Sequence, residues 1–328
     1  MRKYIIYTLV LALIVTIGCA TTAVEKTKEA YLDRGNSYYR SGKYQQAISD
    51  YTKAIELNPK YADAYYNRGL AYGKGKGQFD KAIADYSKAI EINPKDAKAY
   101  NNRGFDYLNK GQYDKAISDY NKAIELNPKN AGAYNNRGLA YDNKDQYDKA
   151  ISDYNKAIEI NPKYAKAHYN RGNAYARKRQ YDKAITDYTK ALEINPKYVL
   201  AYYNRGNVYR GKRQYDKAIS DYSKAIEINP KYVSSYYNRG IAYYGKGQFD
   251  KAIADFNKAV EINPKHTKAY YSIGCIYSLQ NNLSKALKYL ELALENGYDD
   301  FDWINKDSDW DNIRSSNEFK MLIDKYRK

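Results

Sequence analysis

The chain has 328 residues, 44% hydrophobic and 15% aromatic, enough apolar material for a long core and too much for wholesale disorder. Two cysteines cannot build a disulfide framework, and two histidines exclude a multi-histidine metal site. The formal charge of +17 favours acidic partners or anionic surfaces in general and carries no information about fold.

Met1-Arg2-Lys3 is a basic start, Tyr4 to Ile17 is nearly unbroken apolar sequence, and Gly18-Cys19-Ala20 is a small-residue exit. This is the layout of a secretory signal, expected over residues 1–18. Cys19 directly after Gly18 resembles a bacterial lipobox. That resemblance implies lipidation of Cys19, a tether over 19–27 and a membrane-anchored place in the bacterial cell envelope. Thr16 departs from the Leu-like residue usual in the motif. Ordinary cleavage, giving a secreted chain, and an uncleaved N-terminal span are the alternatives, because the apolar run is just short of the ~20 residues that cross a bilayer.

Seven prolines follow at Pro59, Pro94, Pro128, Pro162, Pro196, Pro230 and Pro264, each within an Asn-Pro-Lys triplet. They are spaced 35 once and then 34 five times, which marks a repeat array. Aligned on them, the units are 28–61, 62–96, 97–130, 131–164, 165–198, 199–232, 233–266 and 267–300. Each predicts two amphipathic helices split by a turn. In the fourth unit Tyr147, Ala150, Ile151, Tyr154, Ala157 and Ile158 recur at helical spacing, and Pro162 stops the helix. The extra residue of the second unit lies in Gly73-Lys74-Gly75-Lys76-Gly77 and is expected to lengthen the turn. Residues 301–328 break the period. Phe301, Trp303, Ile304, Trp310, Ile313, Phe319, Leu322 and Ile323 supply apolar anchors for a cap over the last open face.

The fourth unit carries Tyr134, Gly138, Tyr141, Ala150, Tyr154, Ala157 and Pro162, and the other units repeat this set with few changes. The pattern resembles the tetratricopeptide repeat over 28–300. The resemblance implies an all-α fold: a right-handed superhelix, or α-solenoid, of about eight helix-turn-helix repeats whose first helices line a concave groove. It also implies an interaction scaffold for a protein or peptide partner, not an enzyme, with no cofactor.

Six asparagines sit two residues before the repeat glycines: Asn67, Asn102, Asn136, Asn170, Asn204 and Asn238. By the family frame they face the groove. A side-chain amide both donates and accepts, so a row of them can pair with the backbone of an extended polypeptide. The competing readings are that they bridge adjacent helices, or merely follow a duplicated template. The preceding residues, Tyr66, Asn101, Asn135, Tyr169, Tyr203 and Tyr237, would add contact surface.

An arginine before each of seven repeat glycines and an aspartate in each partner helix, Arg137 and Asp153 for example, are lost together in the last unit. Joint loss predicts an ion pair, within or between units. A basic patch, Arg177-Lys178-Arg179 and Arg210-Gly211-Lys212-Arg213, offers candidate anion contacts where Arg179 and Arg213 replace the turn glycine. It supports the alternative function, an anionic-polymer or surface binder. A secretion signal argues against nucleic acid as that ligand. Asp307 to Glu318 has the acidic spacing of a calcium loop, but Asn312 replaces its glycine, and Ser315 with Glu318 reads as a capping box, so no metal is expected. A grip on terminal carboxylates is discounted because Leu32 stands at its leading lysine position. No P-loop, G-x-S-x-G or H-E-x-x-H occurs.

Overall fold

The computed structural model describes residues 27–327. The expected signal, Cys19 and all of the tether except Thr27 lie outside the described residues. Among the described residues there are eighteen α-helices, one 3-10 turn and no strand. No described helix is long and apolar enough to cross a membrane.

The chain forms two compact units, one ending at Asn161 and one beginning at Pro162. The first contains four helical hairpins: α1 (Lys28–Arg40) with α2 (Tyr44–Leu57), α3 (Ala62–Lys76) with α4 (Phe79–Ile92), α5 (Ala97–Asn109) with α6 (Tyr113–Leu126), and α7 (Ala131–Asp142) with α8 (Tyr147–Ile160). The second contains α9 (Ala165–Arg177) with α10 (Tyr181–Ile194), α11 (Val199–Gly211) with α12 (Tyr215–Ile228), α13 (Val233–Gly245) with α14 (Phe249–Ile262), and α15 (Thr267–Leu279) with α16 (Leu283–Glu295). It ends in α17 (Phe301–Lys306), the 3-10 turn Ser308–Trp310 and α18 (Asn317–Tyr326).

Each of the first seven hairpins ends by the same local chemistry. At the close of α8 the Asn161 N–H donates to the Ala157 carbonyl at 2.9 Å, and Pro162 cannot continue the ladder. In the first hairpin the Asn58 Oδ1 then accepts from the Lys60 N–H at 3.0 Å, an Asx turn that fixes the exit. The turn inside every hairpin passes through one left-handed residue. Gly42, Gly77, Gly111 and Gly247 fill it at φ 59–73°, and Asp145, Arg179, Arg213 and Asn281 at 56–57°. The extra residue of the second hairpin does not lengthen this turn. It is absorbed by α3, which runs to Lys76 and has 15 residues against 13 in α1.

Close approach inside each hairpin rests on the repeat glycine. A Cβ on Gly138 would stand 2.7 Å from Cε1 of Tyr154, whose ring is fully buried. The seventh hairpin substitutes Phe256 over Gly240. In the eighth, Leu290 occupies the tyrosine position, and Trp310 of the terminal segment fills the space instead, its ring 2.8 Å from where a Gly274 Cβ would be. Trp310 is fully buried and donates from Nε1 to the Tyr271 hydroxyl at 2.9 Å. Ile304, Ile313, Phe319 and Ile323 are buried with it. Trp303, expected among these anchors, is 53% exposed, because α17 buries only its Ile304 side. The cap of α18 is Ser316, which accepts from the Phe319 N–H at 3.2 Å, one residue after the predicted Ser315.

Candidate functional site

The seven arginines and seven aspartates meet within hairpins. Arg137 donates from Nε and Nη2 to the two oxygens of Asp153 at 2.8 and 2.7 Å, a bidentate fork repeated in the other six. The remaining Nη1 of Arg137 reaches back to Asn121 Oδ1 of the preceding hairpin at 2.6 Å. Arg68, Arg103, Arg205 and Arg239 do the same to Thr52, Ser87, Thr189 and Ser223. One guanidinium therefore holds three helices. Arg68, Arg103, Arg137, Arg205 and Arg239 are committed to the stack in this way, whereas Arg34 of the first hairpin is 54% exposed beside Asp50. In the fifth hairpin His168 is buried, with Nδ1 3.4 Å from Asp187. Burial works to raise the Asp187 carboxyl, and its hydrogen bonds from Arg171 and His168 outweigh that, so it lies below the usual range.

The amide row lies on the first helices, which touch one another from hairpin to hairpin within each unit. Asn67, Asn102, Asn136, Asn204 and Asn238 are half-buried, and Asn170 is buried. Asn102, Asn136, Asn204 and Asn238 each donate to the residue before the asparagine of the preceding hairpin. Asn102 Nδ2 donates to the Tyr66 hydroxyl at 2.9 Å, Asn204 to Tyr169 at 3.0 Å and Asn238 to Tyr203 at 2.8 Å. In the first unit the tyrosine gives way to asparagine, and the amides join in a directional chain. Asn135 donates to Asn136, Asn136 to Asn101, and Asn101 to Asn102, at 3.2–3.4 Å. Asn67 makes no side-chain hydrogen bond among the described residues, since the corresponding position in the first hairpin is Leu32. The row therefore bridges neighbouring helices. The Asn238 amide uses one N–H in this way, which leaves its other N–H and its carbonyl oxygen for a partner.

Two exposed apolar side chains accompany it. Phe105 is 41% exposed and stands three residues after Asn102, and Leu200 is 42% exposed and stands four before Asn204. Those spacings place them on the same helix faces as the amides. Sequence reasoning missed both, although a large apolar residue one turn from a groove-facing amide was a readable signal. It also did not foresee that Asn36, Asn173 and Asn207 accept the hydroxyls of Tyr51, Tyr188 and Tyr222 at 2.8–2.9 Å.

The basic patch is only partly assembled. Arg177, Arg179 and Arg213 are exposed, and Lys178 is half-buried. Arg210 is not displayed as an anion contact, because it is half-buried against the Tyr222 hydroxyl with its Nε enclosed. Lys212 is committed to an ion pair with Asp182.

The segment with calcium-loop spacing is a 3-10 turn capped by Asp307, which accepts from the Asp309 N–H. Its carboxylates receive tyrosine hydroxyls, Tyr271 on Asp307 and Tyr244 on Asp309, both at 2.6 Å. Cys275 packs beside them, and burial pushes its thiol well up.

A family model described as "TPR repeat" matches residues 35–75, 76–111, 143–179 and 206–247. Two described as "Tetratricopeptide repeat" match 97–130, 165–198 and 233–266, and 119–152, 187–220 and 256–288. Among curated proteins, the SGT1 homolog of Oryza sativa subsp. japonica is 40% identical over 52 residues, which is 16% of this chain and 14% of that protein. The uncharacterized protein MJ0572 of Methanocaldococcus jannaschii is 41% identical over 46 residues, 14% of this chain and 54% of that one. The chain thus spans about half or less of these relatives. A crystal structure of a tetratricopeptide repeat protein from Parabacteroides merdae superposes with a TM-score of 0.59 at 21% identity, covering 81% of this chain and 98% of that one. That likeness bears on the fold alone.

Proposed function

Because this chain belongs to the tetratricopeptide repeat family, we propose that it is an interaction scaffold that holds an extended polypeptide segment along its first helices. The observation that carries this reading is the pairing of half-buried amides with an exposed apolar side chain in each unit: Asn102 with Phe105, and Asn204 with Leu200. The amides have spare donors and acceptors for a partner's backbone, and the apolar residues give its side chains a place to bury area. Crosslinking pull-down from native cells tests it. Wild type is compared with Asn102→Ala/Asn136→Ala/Asn204→Ala, and with Tyr66→Phe/Tyr203→Phe as a control. The control removes the hydroxyl acceptors and leaves the amides. Loss of a partner from the first variant only is the expected result. An unchanged partner list with helicity retained would reject the ladder as a reading surface.

The scaffold would be tethered to a membrane through lipidated Cys19, a reading supported by the basic start, apolar run and Gly18-Cys19 pattern. Labelling with a fatty-acid analogue should mark wild type and leave Cys19→Ala unmarked. Equal labelling would end the lipoprotein reading.

A further inference from the structure

Asp106 stands on α5, two residues after the repeat glycine Gly104. In every other hairpin that position is small or apolar, and in four of them it is alanine: Ala71, Ala140, Ala174 and Ala242. Asp106 is nonetheless only 4% exposed, and its Oδ2 has no hydrogen-bond partner among the described residues. The carboxylate is pressed against the backbone of α3, its two oxygens 3.6 and 3.7 Å from where a Cβ on Gly73 would stand. Among the described side chains, none of the elements around it brings a cation into hydrogen-bond contact with the carboxylate. From α3 it meets Gly73, and Tyr86 on α4 and Tyr120 on α6 are the titratable groups near enough to feel its charge. The Tyr120 hydroxyl is itself buried without a hydrogen-bond partner among the described residues, so it does not donate to the carboxylate. Nearby cations are committed elsewhere, Arg103 to Asp119 and Lys110 to Asp80.

We propose that Asp106 makes the contact between the second and third hairpins a proton-sensitive joint, closed while the carboxyl is neutral and loosened when it ionises. Neutral, the side chain packs as a slightly enlarged version of its sister alanines. Ionised, it leaves an unpaired charge in a dry contact, which local opening of α5 from α3 would relieve by admitting water. Burial alone pushes this carboxyl up to about 7. The Asn102–Tyr66 hydrogen bond crosses the same joint. On the reading of the amide row as a partner surface, loosening would misalign it at this point, so partner capture would weaken with rising pH.

The sign follows from linkage. The closed state keeps the proton up to about pH 7, whereas an opened Asp106 releases it near the ordinary carboxylate value of ~4. Opening therefore becomes easier as pH rises between those values, by about tenfold per pH unit, and levels off above the upper one. Hydrogen exchange of the full chain from about pH 5 to 8, corrected for intrinsic rates, reads this on residues 62–76 and 97–109. Asp106→Ala restores the residue of the sister repeats, and Asp106→Asn mimics the neutral carboxyl, so both variants should fold. Protection in wild type is expected to fall relative to both variants by about tenfold per unit from pH 5 to 7, with no such change on residues 233–262. A wild-type to Asp106→Ala ratio that stays constant across the range would overturn the joint. It would leave the amide reading untouched, since that is tested by partner capture.

Discussion

At the residue scale, one side chain does several jobs in each repeat. Arg137 forks onto Asp153, reaches Asn121 of the preceding hairpin, and lies over the Tyr134 ring at 5.6 Å. Asp153 is buried, so removing its partner leaves a desolvated charge. Arg137→Leu should lose ~3–5 kcal/mol, and adding Asp153→Leu should recover much of that. Chemical denaturation of the two variants checks it, and equal losses would mean no coupling. The pairing was legible in the sequence because arginine and aspartate vanish together in the last repeat, where Ile273 and Tyr289 stand. The third contact was not legible, because Thr52, Ser87, Asn121, Thr189 and Ser223 share only a hydrogen-bonding oxygen and no residue type. The amides were legible as a row, but their bonds to the preceding hairpin depend on the stacking offset, which spacing along the chain does not supply.

At the scale of the element, the turn is the most constrained point of each hairpin. It holds one left-handed residue whatever the side chain, and glycine takes that geometry without strain. Arg179 and Arg213 do not, so Arg179→Gly and Arg213→Gly should each raise stability, by about 1 kcal/mol, in thermal unfolding. If the two arginines also contact an anion, the same pair of changes should reduce salt-sensitive binding of a polyanion while the fold gains stability. A loss of stability in both would show that their side chains, and not their backbone strain, dominate. Helix ends were readable from Asn-Pro-Lys and from the turn glycines. The longer α3 was not, because Gly73 and Gly75 suggest a loop, whereas the helix continues through both before Gly77 closes it. Tertiary packing overrode a weak local preference there.

For the molecule as a whole, stability is shared between neighbours, and the ends need special treatment. The terminal segment supplies it at one end, where Trp310 fills the space that a repeat tyrosine fills elsewhere. Trp310→Ala should cost ~3–5 kcal/mol and should expose residues 267–295 to hydrogen exchange before the first unit is affected. Uniform weakening of every hairpin would contradict that local role. The repeat count and the cap were legible from the proline period and its failure at Tyr298. Which apolar residues of the cap turn inward was not, since Trp303 and Trp310 look alike in sequence and differ in burial. The central claim is that a partner lies along the first helices. The most direct measurement places a photo-crosslinking residue at Phe105 or Leu200 on those helices, and at Leu57 or Met321 elsewhere, all four being exposed. The account predicts the same partner adduct from the first two positions and none from the last two. Adducts from Leu57 and Met321 alone would contradict it.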